Sequence, residues 1–361
     1  MHLQFLEWNR AAYSINLGFM SIKKTKLLYF IFLCFNSFGT FSFCQDLHFS
    51  QFFAVPVSIN PASIGNFNGD FRICTNLRNQ WAAFNNAYNS GVVSIDAAIL
   101  ENKIGDASQL STGLVLFNDA SGNGLLNQQS AAFGLSFRKY LDIDLNHSVA
   151  VGFQGAYLNV GLNTSKADFE DELTEIGFIE PSQDPAFFNA ARKSAFDLGA
   201  GVQYTGYFQD NFLVYMGYSI SHLNRYPFSF IDPTFKMPMR QAFTIGGYKS
   251  LGSKLYFHFS SQYQRQEKFT ELIAGGAFEH TLSTESAASL ATYVGVWFRN
   301  FDTVIPYVGF ERNNLKVGVT YDVGFITRSS ATFSKLQTGE LSVSWNLIKK
   351  DNIRYLHCPK F

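Results

Sequence analysis

The histidines are the first residues of this sequence to consider for chemistry, because they could ligate a metal or act as general bases. Six of the seven lie beyond residue 44, and they are His48, His147, His222, His258, His280 and His357. No two of them show the His-x-x-x-His or Glu-x-x-His spacing of a metal site. The sequence also lacks a G-x-S-x-G nucleophile elbow, a P-loop and a dinucleotide-binding fingerprint. We therefore predict no catalytic residue, no cofactor and no metal site.

Acidic residues cluster in the segment Asn163–Ser194, which could in principle bind calcium. The carboxylates are those of Asp168, Glu170, Asp171, Glu172, Glu175, Glu180 and Asp184. Their spacing does not fit a calcium loop, which needs a turn-forming Gly and a terminal bidentate Glu. We interpret the segment as a solvated acidic loop. Within it, "FEDELTEIGF" predicts a short helix with Leu173 and Ile176 on one face.

The composition excludes one class of partner. The chain has 39 Phe and 17 Tyr, only 16% charged residues, and 28 Lys plus Arg against 28 Asp plus Glu. Proteins that bind nucleic acid concentrate positive charge on one face or stripe. A neutral, Phe-rich chain has no such footprint, so we predict no nucleic-acid partner.

Residues 1–44 read as a leader. If translation starts at Met20, three lysines between residues 23 and 26 precede the uncharged run Leu27–Cys44, which is the pattern of a signal peptide. The run is also long enough to be a membrane-spanning candidate. Asn36 and Gly39 weaken its second half, so we predict cleavage after Cys44.

The rest of the chain alternates apolar and polar residues with period two. In "SVAVGFQGAYL", one side carries Val149, Val151, Phe153 and Tyr157, and the other carries Ala150, Gly152, Gln154 and Ala156. The same pattern recurs in Lys254–Tyr263 and Leu315–Phe325. Period two is typical of a half-buried strand, and about ten residues is the length that a tilted transmembrane β-strand needs.

Such segments number about fourteen between residues 70 and 348, an even count as in bacterial outer-membrane barrels. They lie near Phe71–Arg78, Val92–Leu100, Leu110–Phe117, Ser130–Lys139, Ser148–Val160, Ala195–Tyr207, Phe212–Ser221, Arg240–Tyr248, Lys254–Tyr263, Thr270–Phe278, Leu290–Arg299, Thr303–Glu311, Leu315–Phe325 and Gly339–Leu347. With the N-terminus in the periplasm, connections after odd-numbered strands face outward. The longest three do: Asn163–Ser194, His222–Pro238 and Thr327–Thr338. Short turns at one end and long loops at the other are typical of such barrels.

The predicted fold is therefore all-β: a transmembrane antiparallel β-barrel at 70–348, with a short C-terminal tail at 349–361. The alternative is a soluble secreted sandwich or barrel, whose strands also alternate. A soluble sandwich covers its outside with charge, whereas the polar face here is mainly Gly, Ser, Ala, Gln and Asn. The aromatics Trp81, Tyr140, Tyr207 and Trp297 near strand ends suit interfacial girdles and favour the membrane.

The segment that follows the leader resembles a known family. "QDLHFSQFFAVPVSINPASIGNFNGDFRICTNLRNQW" is similar to the N-terminal signature of the PorP/SprF family, outer-membrane proteins of the type IX secretion system in Bacteroidetes. The matching residues are Gln45, Asp46, Phe49, Ser50, Gln51, Asn60, Pro61, Ala62, Gly65, Arg78, Asn79, Gln80 and Trp81.

That resemblance implies a barrel that works with periplasmic and outer-membrane subunits of the secretion apparatus. It also implies a role in bringing cargo to the cell surface, such as gliding adhesins with a C-terminal sorting domain. Outer-membrane lipid would be its surroundings.

The residues themselves predict how segment 45–69 is used. Pro56 and Pro61 exclude it from a central strand, and its aromatics are costly to leave in water. We expect Phe49, Phe52, Phe53 and Ile59 to pack inside the barrel mouth or against a partner, as a plug or docking element. Asn60 and Pro61 begin a turn that Gly65 relieves. The alternative is a cap on the first strand with no further role.

Three functions compete at this stage. The first is a non-catalytic secretion component, and the second is an outer-membrane transport channel with an N-terminal hatch for hydrophobic solutes. The third is an outer-membrane hydrolase, for which His258 and Ser260 on one strand face are the candidate residues. Two residues on one strand lack the orienting third group of a triad, so the hydrolase is the weakest.

Overall fold

The computed structural model describes residues 46, 48–81, 88–101, 106–163, 166, 170–174, 177–178, 191–209, 211–228, 234–283, 289–324 and 338–347. The predicted leader and C-terminal tail lie outside these residues. Within the described residues, no helix is long and apolar enough to cross a membrane.

Nearly all of the described chain forms strands. They are β1 Phe71–Gln80, β2 Tyr88–Glu101, β3 Ser108–Ser121, β4 Leu126–Tyr140, β5 His147–Leu162, β6 Leu173–Thr174, β7 Gly177–Phe178, β8 Ala191–Phe208, β9 Phe212–Ser221, β10 Arg240–Ser250, β11 Leu255–Gln266, β12 Phe269–Ser283, β13 Leu290–Arg299, β14 Thr303–Arg312, β15 Leu315–Gly324 and β16 Thr338–Leu347. All except β6 and β7 form one closed barrel in chain order, with β1 pairing to both β2 and β16. The predicted fourteen-stranded antiparallel barrel is confirmed, and each predicted segment overlaps one of its strands.

The barrel is apolar outside and polar inside, as the alternation predicts. In β5, Phe153 is 63% exposed while its neighbour on the other face, Ala150, is 1% exposed. In β15, Val319 faces outward and Thr320 is buried. This is the reverse of a soluble sandwich, because the large apolar side chains cover the outside and the polar ones fill the core.

Successive barrel strands are antiparallel, so connections alternate between two ends. The strand ends that flank the three longest connections, residues 163–190, 222–239 and 325–337, all lie at the same end of the barrel, which we call the long-loop end. The other, the short-turn end, carries tight connections such as residues 209–211 and 313–314. The strand β1 begins at the short-turn end.

The acidic loop differs from the prediction of a helix. Glu170–Glu172 form one 3-10 turn, and β6 and β7 then pair as a two-residue hairpin. Gly177 has φ +119°, which ends any helix, and the Thr174 hydroxyl donates to the Gly177 carbonyl at 2.7 Å. Local turn chemistry therefore overrides the helical spacing.

One side of the barrel extends further than the rest at the long-loop end. The pairing of β8 with β9 begins at Ala200, whereas β8 pairs with β5 from Ala191 onward. Residues 191–199 thus project beyond β9. The turn after β9 covers part of this edge, since Leu223 donates to the Leu198 carbonyl and the Asn224 side chain accepts from the Leu198 amide.

Candidate functional site: a plug inside the barrel

Asp46 and residues 48–69, which together we call the plug, lie inside the barrel rather than in its wall. They form three 3-10 turns, Phe52–Ala54, Pro56–Ser58 and Pro61–Ser63, and most of their side chains are buried. Each of the two prolines stands at the start of its turn, where its fixed φ fits and its missing N–H costs nothing. The same two prolines that prevent this segment from forming a strand therefore begin two of the turns that make it compact.

The plug runs along the barrel from one end to the other. At the long-loop end, Asp46 contacts His222, which follows β9. The backbone amide of Asp46 donates to the Gln266 side chain at 3.1 Å. At the short-turn end, the Asp70 amide donates to the Leu347 carbonyl at 2.8 Å, next to the start of β1. The plug therefore crosses the barrel before β1 begins, and Asp46 lies at the opposite end of the barrel from the start of β1.

Ser50 and Gln51 are tied to the wall through Glu340 of β16. The Glu340 carboxylate accepts the backbone amides of Ser50 at 2.7 Å and Gln51 at 2.8 Å. Arg78 of β1 donates to the same carboxylate at 2.5 Å. All four residues are at most 3% exposed. Charge-assisted bonds of this kind are the strong ones, and they fix the backbone of the plug to two neighbouring strands.

A second carboxylate completes this attachment. The Ser50 hydroxyl lies 2.7 and 2.8 Å from the two carboxylate oxygens of Asp322 in β15. Arg299 of β13 donates to Asp322 at 2.8 Å and also to the Ser50 hydroxyl. Because buried charges are costly unless paired, the serine and the two carboxylates form one mutually dependent network with the arginines.

Phe52 and Phe53 fill the side of the barrel formed by β12 to β14. The Phe53 ring lies 4.7 Å from the Trp297 ring and 5.6 Å from the Tyr307 ring, edge-on to the latter. Trp297 is 1% exposed and donates to the Ser260 hydroxyl at 3.0 Å. The prediction that Trp297 belongs to an interfacial girdle is therefore wrong, since it faces inward and packs on the plug.

Asn60, Pro61 and Ala62 rest directly on the barrel wall. The Asn60 side chain accepts the Ala62 amide at 2.9 Å, capping the third turn, and donates to the Val202 carbonyl of β8 at 3.0 Å. A Cβ on Gly152 would lie 2.3 Å from the Pro61 carbonyl carbon, and one on Gly201 would lie 2.0 Å from Asn60 Oδ1. Glycines on the inward face thus make room for the plug.

Gly65 lets the plug turn toward β1. Its φ of +72° favours glycine, and a Cβ there would meet the Ser111 hydroxyl at 2.0 Å. The Gly65 amide donates to Asp96 of β2 at 2.8 Å. Arg72 binds the same carboxylate with two nitrogens, each at 2.9 Å, and donates to the Ser63 carbonyl at 3.2 Å.

The signature residues 78–81 divide between the inside and the outside of the barrel. Arg78 joins the plug network, and the half-buried Gln80 accepts from it at 3.3 Å. Asn79 faces outward and donates to Asn89 at 2.5 Å. Trp81 packs edge-on against Tyr88 with ring centres 5.1 Å apart, at the ends of β1 and β2. Only part of the signature therefore contacts the plug.

Five wall residues that hold the plug were not predicted from the sequence: Arg72, Asp96, Arg299, Asp322 and Glu340. A signal was present in the sequence, because each is a charged residue at an inward position of its strand. Their partners lie up to 290 residues apart in the chain, as for Ser50 and Glu340. Strand register is needed to bring them together.

The N-terminal end of the plug is held by a cluster of ionisable groups. His222 lies 2.6 Å from Asp46 and 2.9 Å from Asp197, and Arg240 lies 3.4 Å from Asp46. Burial lowers the pKa of His222, but the two carboxylates outweigh it and raise that pKa to about 9. Burial raises the pKa of Asp46, yet His222 and Arg240 hold it well below its usual range.

His258 and Ser260 do not form a nucleophile and base pair. His258 binds Glu279 at 2.7 Å, while the Ser260 hydroxyl accepts from Trp297. Both side chains are nearly fully buried. Across the described residues, no group of three or more His, Cys, Asp or Glu side chains is placed to hold a metal ion.

The fold and the plug define a membrane β-barrel with an internal N-terminal segment. Residues 41–345 match the family described as type IX secretion system membrane protein PorP/SprF. The chain belongs to this family, and the resemblance seen in the sequence is confirmed. It is thus an outer-membrane β-barrel of the type IX secretion system.

Similarity to solved structures shows only a shared fold. The Pseudomonas putida toluene transporter TodX is 10% identical, with 81% of this chain and 94% of that one covered at a TM-score of 0.47. The Ralstonia pickettii toluene transporter TbuX is 9% identical, with coverages of 81% and 92% and a TM-score of 0.46. Likenesses at this level carry no functional argument. No curated protein sequence is significantly similar to this chain.

Proposed function

We propose that this chain is a non-catalytic component of the type IX secretion system that assists the secretion or surface display of cargo. The cargo class is adhesins with a C-terminal sorting domain, including gliding adhesins. The supporting observation is the plug: residues 48–69 cross the lumen and are hydrogen-bonded to β1, β2, β8, β15 and β16. A barrel filled in this way acts by binding partners at its ends rather than as an open conduit.

Its surroundings and partners follow from the same proposal. The outward apolar residues of the strands face outer-membrane lipid, and periplasmic and outer-membrane subunits of the secretion system bind the two ends. A signal peptide, cleaved after Cys44, exports the chain.

Deletion of the gene, followed by proteomics of the cell surface and the medium, tests this function. Loss of one or a few sorting-domain proteins from the surface supports it. An unchanged surface proteome, combined with lost uptake of a defined hydrophobic solute, would instead support the transport channel.

Plug variants test the mechanism. We expect Phe52→Ser with Phe53→Ser, and separately Asn60→Gly with Pro61→Gly, to leave folded barrel in the outer membrane while cargo fails to reach the surface. Asn79→Ser is the control, since Asn79 belongs to the signature but faces outward. Normal secretion by both plug variants would show that the plug only caps the first strand. Loss of the barrel from the membrane would show that the plug is required for folding.

A further inference from the structure

A cavity of about 140 Å³ lies between the plug and the barrel wall. Phe49 and Phe52 of the plug form one side, and Val115 and Phe117 of β3 form another. An apolar cavity of roughly 150 Å³ in a protein core can hold a benzene ring. Polar side chains such as Gln128 and Gln154 line the rest of the cavity, so a single small aromatic ring fits its size and the apolar part formed by these phenylalanines and Val115.

Two buried oxygens of residues that line this cavity, Asn76 Oδ1 and Asp197 Oδ1, have no hydrogen-bond partner among the described residues. Asn76 of β1 lines the cavity and is 1% exposed. Its Nδ2 donates to the Glu340 carboxylate at 3.1 Å, which fixes the orientation of the amide because only the nitrogen can donate. The Asn76 Oδ1 is buried and accepts no hydrogen bond from the described residues. A buried acceptor without a donor is costly, so it favours a ligand that brings an O–H or N–H group.

The pairing of the charged groups around the cavity favours a neutral ligand over an ionic one. Asp46, Asp197, His222 and Arg240 line it, and they already bind one another at 2.6 to 3.4 Å. A charged ligand would have to break these pairs, whereas a neutral one leaves them intact.

We propose that this cavity is a binding site for a small neutral aromatic molecule with one hydrogen-bond donor, of the phenol class. The ring packs against Phe49, Phe52 and Phe117, and the donor bonds to Asn76 Oδ1. This site is independent of the proposed role in secretion, because it concerns occupancy of the lumen and not the cargo.

Fluorine NMR on the purified full-length mature barrel in lipid nanodiscs tests the site, with 4-fluorophenol and fluorobenzene as probes. We expect saturable binding of 4-fluorophenol, and about tenfold weaker binding of fluorobenzene, which has no donor. Asn76→Leu should remove the preference between the two probes.

Two neighbouring alanines provide a matched pair of variants. Ala132 lines the cavity, so Ala132→Phe should abolish saturable binding, whereas Ala131→Phe places the same ring on the exposed outer face and should not. If Ala132→Phe does not fold, Ala156→Phe fills the same cavity from β5. Equal, non-saturable uptake by all variants would show partition into lipid, and no binding by the wild type would show that the cavity holds water only. Either result overturns the proposal.

Discussion

Gly152 of β5 lies against Pro61 of the plug so closely that a Cβ on the glycine would stand 2.3 Å from the Pro61 carbonyl carbon. Real Cβ atoms do not approach a backbone atom to this distance, so any side chain at position 152 displaces either the strand or the plug. The strand is paired on both sides and the plug is not. We therefore expect the plug to move.

Gly152→Val should unseat the plug while the barrel remains folded, at a cost of about 1–3 kcal/mol in the free energy of unfolding. Chymotrypsin cleavage at Phe52 and Phe53, detected by mass spectrometry, measures the exposure of the plug. Gly339→Ala is the control, because a Cβ at Gly339 meets nothing within 4 Å. If Phe52 and Phe53 stay protected from cleavage in Gly152→Val, the strand has moved rather than the plug.

Breaking the buried pair of Arg78 and Glu340 should destabilise the protein strongly. Glu340→Gln removes the charge that compensates Arg78 and weakens the bonds to the Ser50 and Gln51 amides. Removing one partner of a buried pair costs about 3–5 kcal/mol. Urea unfolding, monitored by heat-modifiable mobility, measures this loss. A double-mutant cycle with Arg78→Met should show strong coupling, and additive effects would contradict the network.

The two faces of β5 should respond very differently to charge. Phe153→Arg places a cation on the lipid side near the middle of the strand, which costs about 2–4 kcal/mol. Gln154→Arg places the same cation toward the lumen, where the loss should be much smaller. The fraction of folded, heat-modifiable barrel measures both, and equal losses would be inconsistent with a membrane-facing surface at Phe153.

Release of the N-terminal end of the plug should depend on pH through His222. Its pKa is raised to about 9, so the stability that it contributes is fully present below its unfolded pKa of about 6.5 and is lost as pH rises through about 9. The titratable and charged groups that face it are Asp46, Asp197, Arg240 and Tyr226, whose ring packs edge-on against the imidazole with centres 5.7 Å apart. Chymotrypsin cleavage at Phe49 should therefore accelerate in alkaline solution. Measured relative to a small chymotrypsin substrate at the same pH, the cleavage rate of a His222→Gln variant should no longer change over this range. A pH profile that matches the wild type would disprove the role of His222.

The long-loop end should face the outside of the cell. An epitope inserted between Thr174 and Gly177 should be labelled on intact cells, because long loops are extracellular in outer-membrane barrels. An epitope at Gly252, in a short turn at the other end, should be labelled only after lysis. The opposite labelling pattern would show that the long-loop end faces the periplasm.

The strands were predictable from the sequence, whereas the site was predictable only in part. Alternation fixes which face of a strand is apolar, so the outward and inward faces of β5, β11 and β15 could be assigned without knowing any contact between residues. The same parity rule would have placed Trp297 inside, since Val294, Val296 and Phe298 of β13 form the outward set. What no local pattern shows is pairing across the barrel, such as Ser50 with Glu340, because it depends on strand register and barrel closure.

The cover over β8 has a consequence for association between copies of the protein. An exposed strand edge offers a row of unsatisfied backbone groups that can recruit a strand from another chain. Leu223 and Asn224 occupy part of that row at Phe196 and Leu198. The turn therefore leaves fewer free backbone groups on the part of β8 that extends beyond β9, which disfavours the addition of a strand from another copy at this edge.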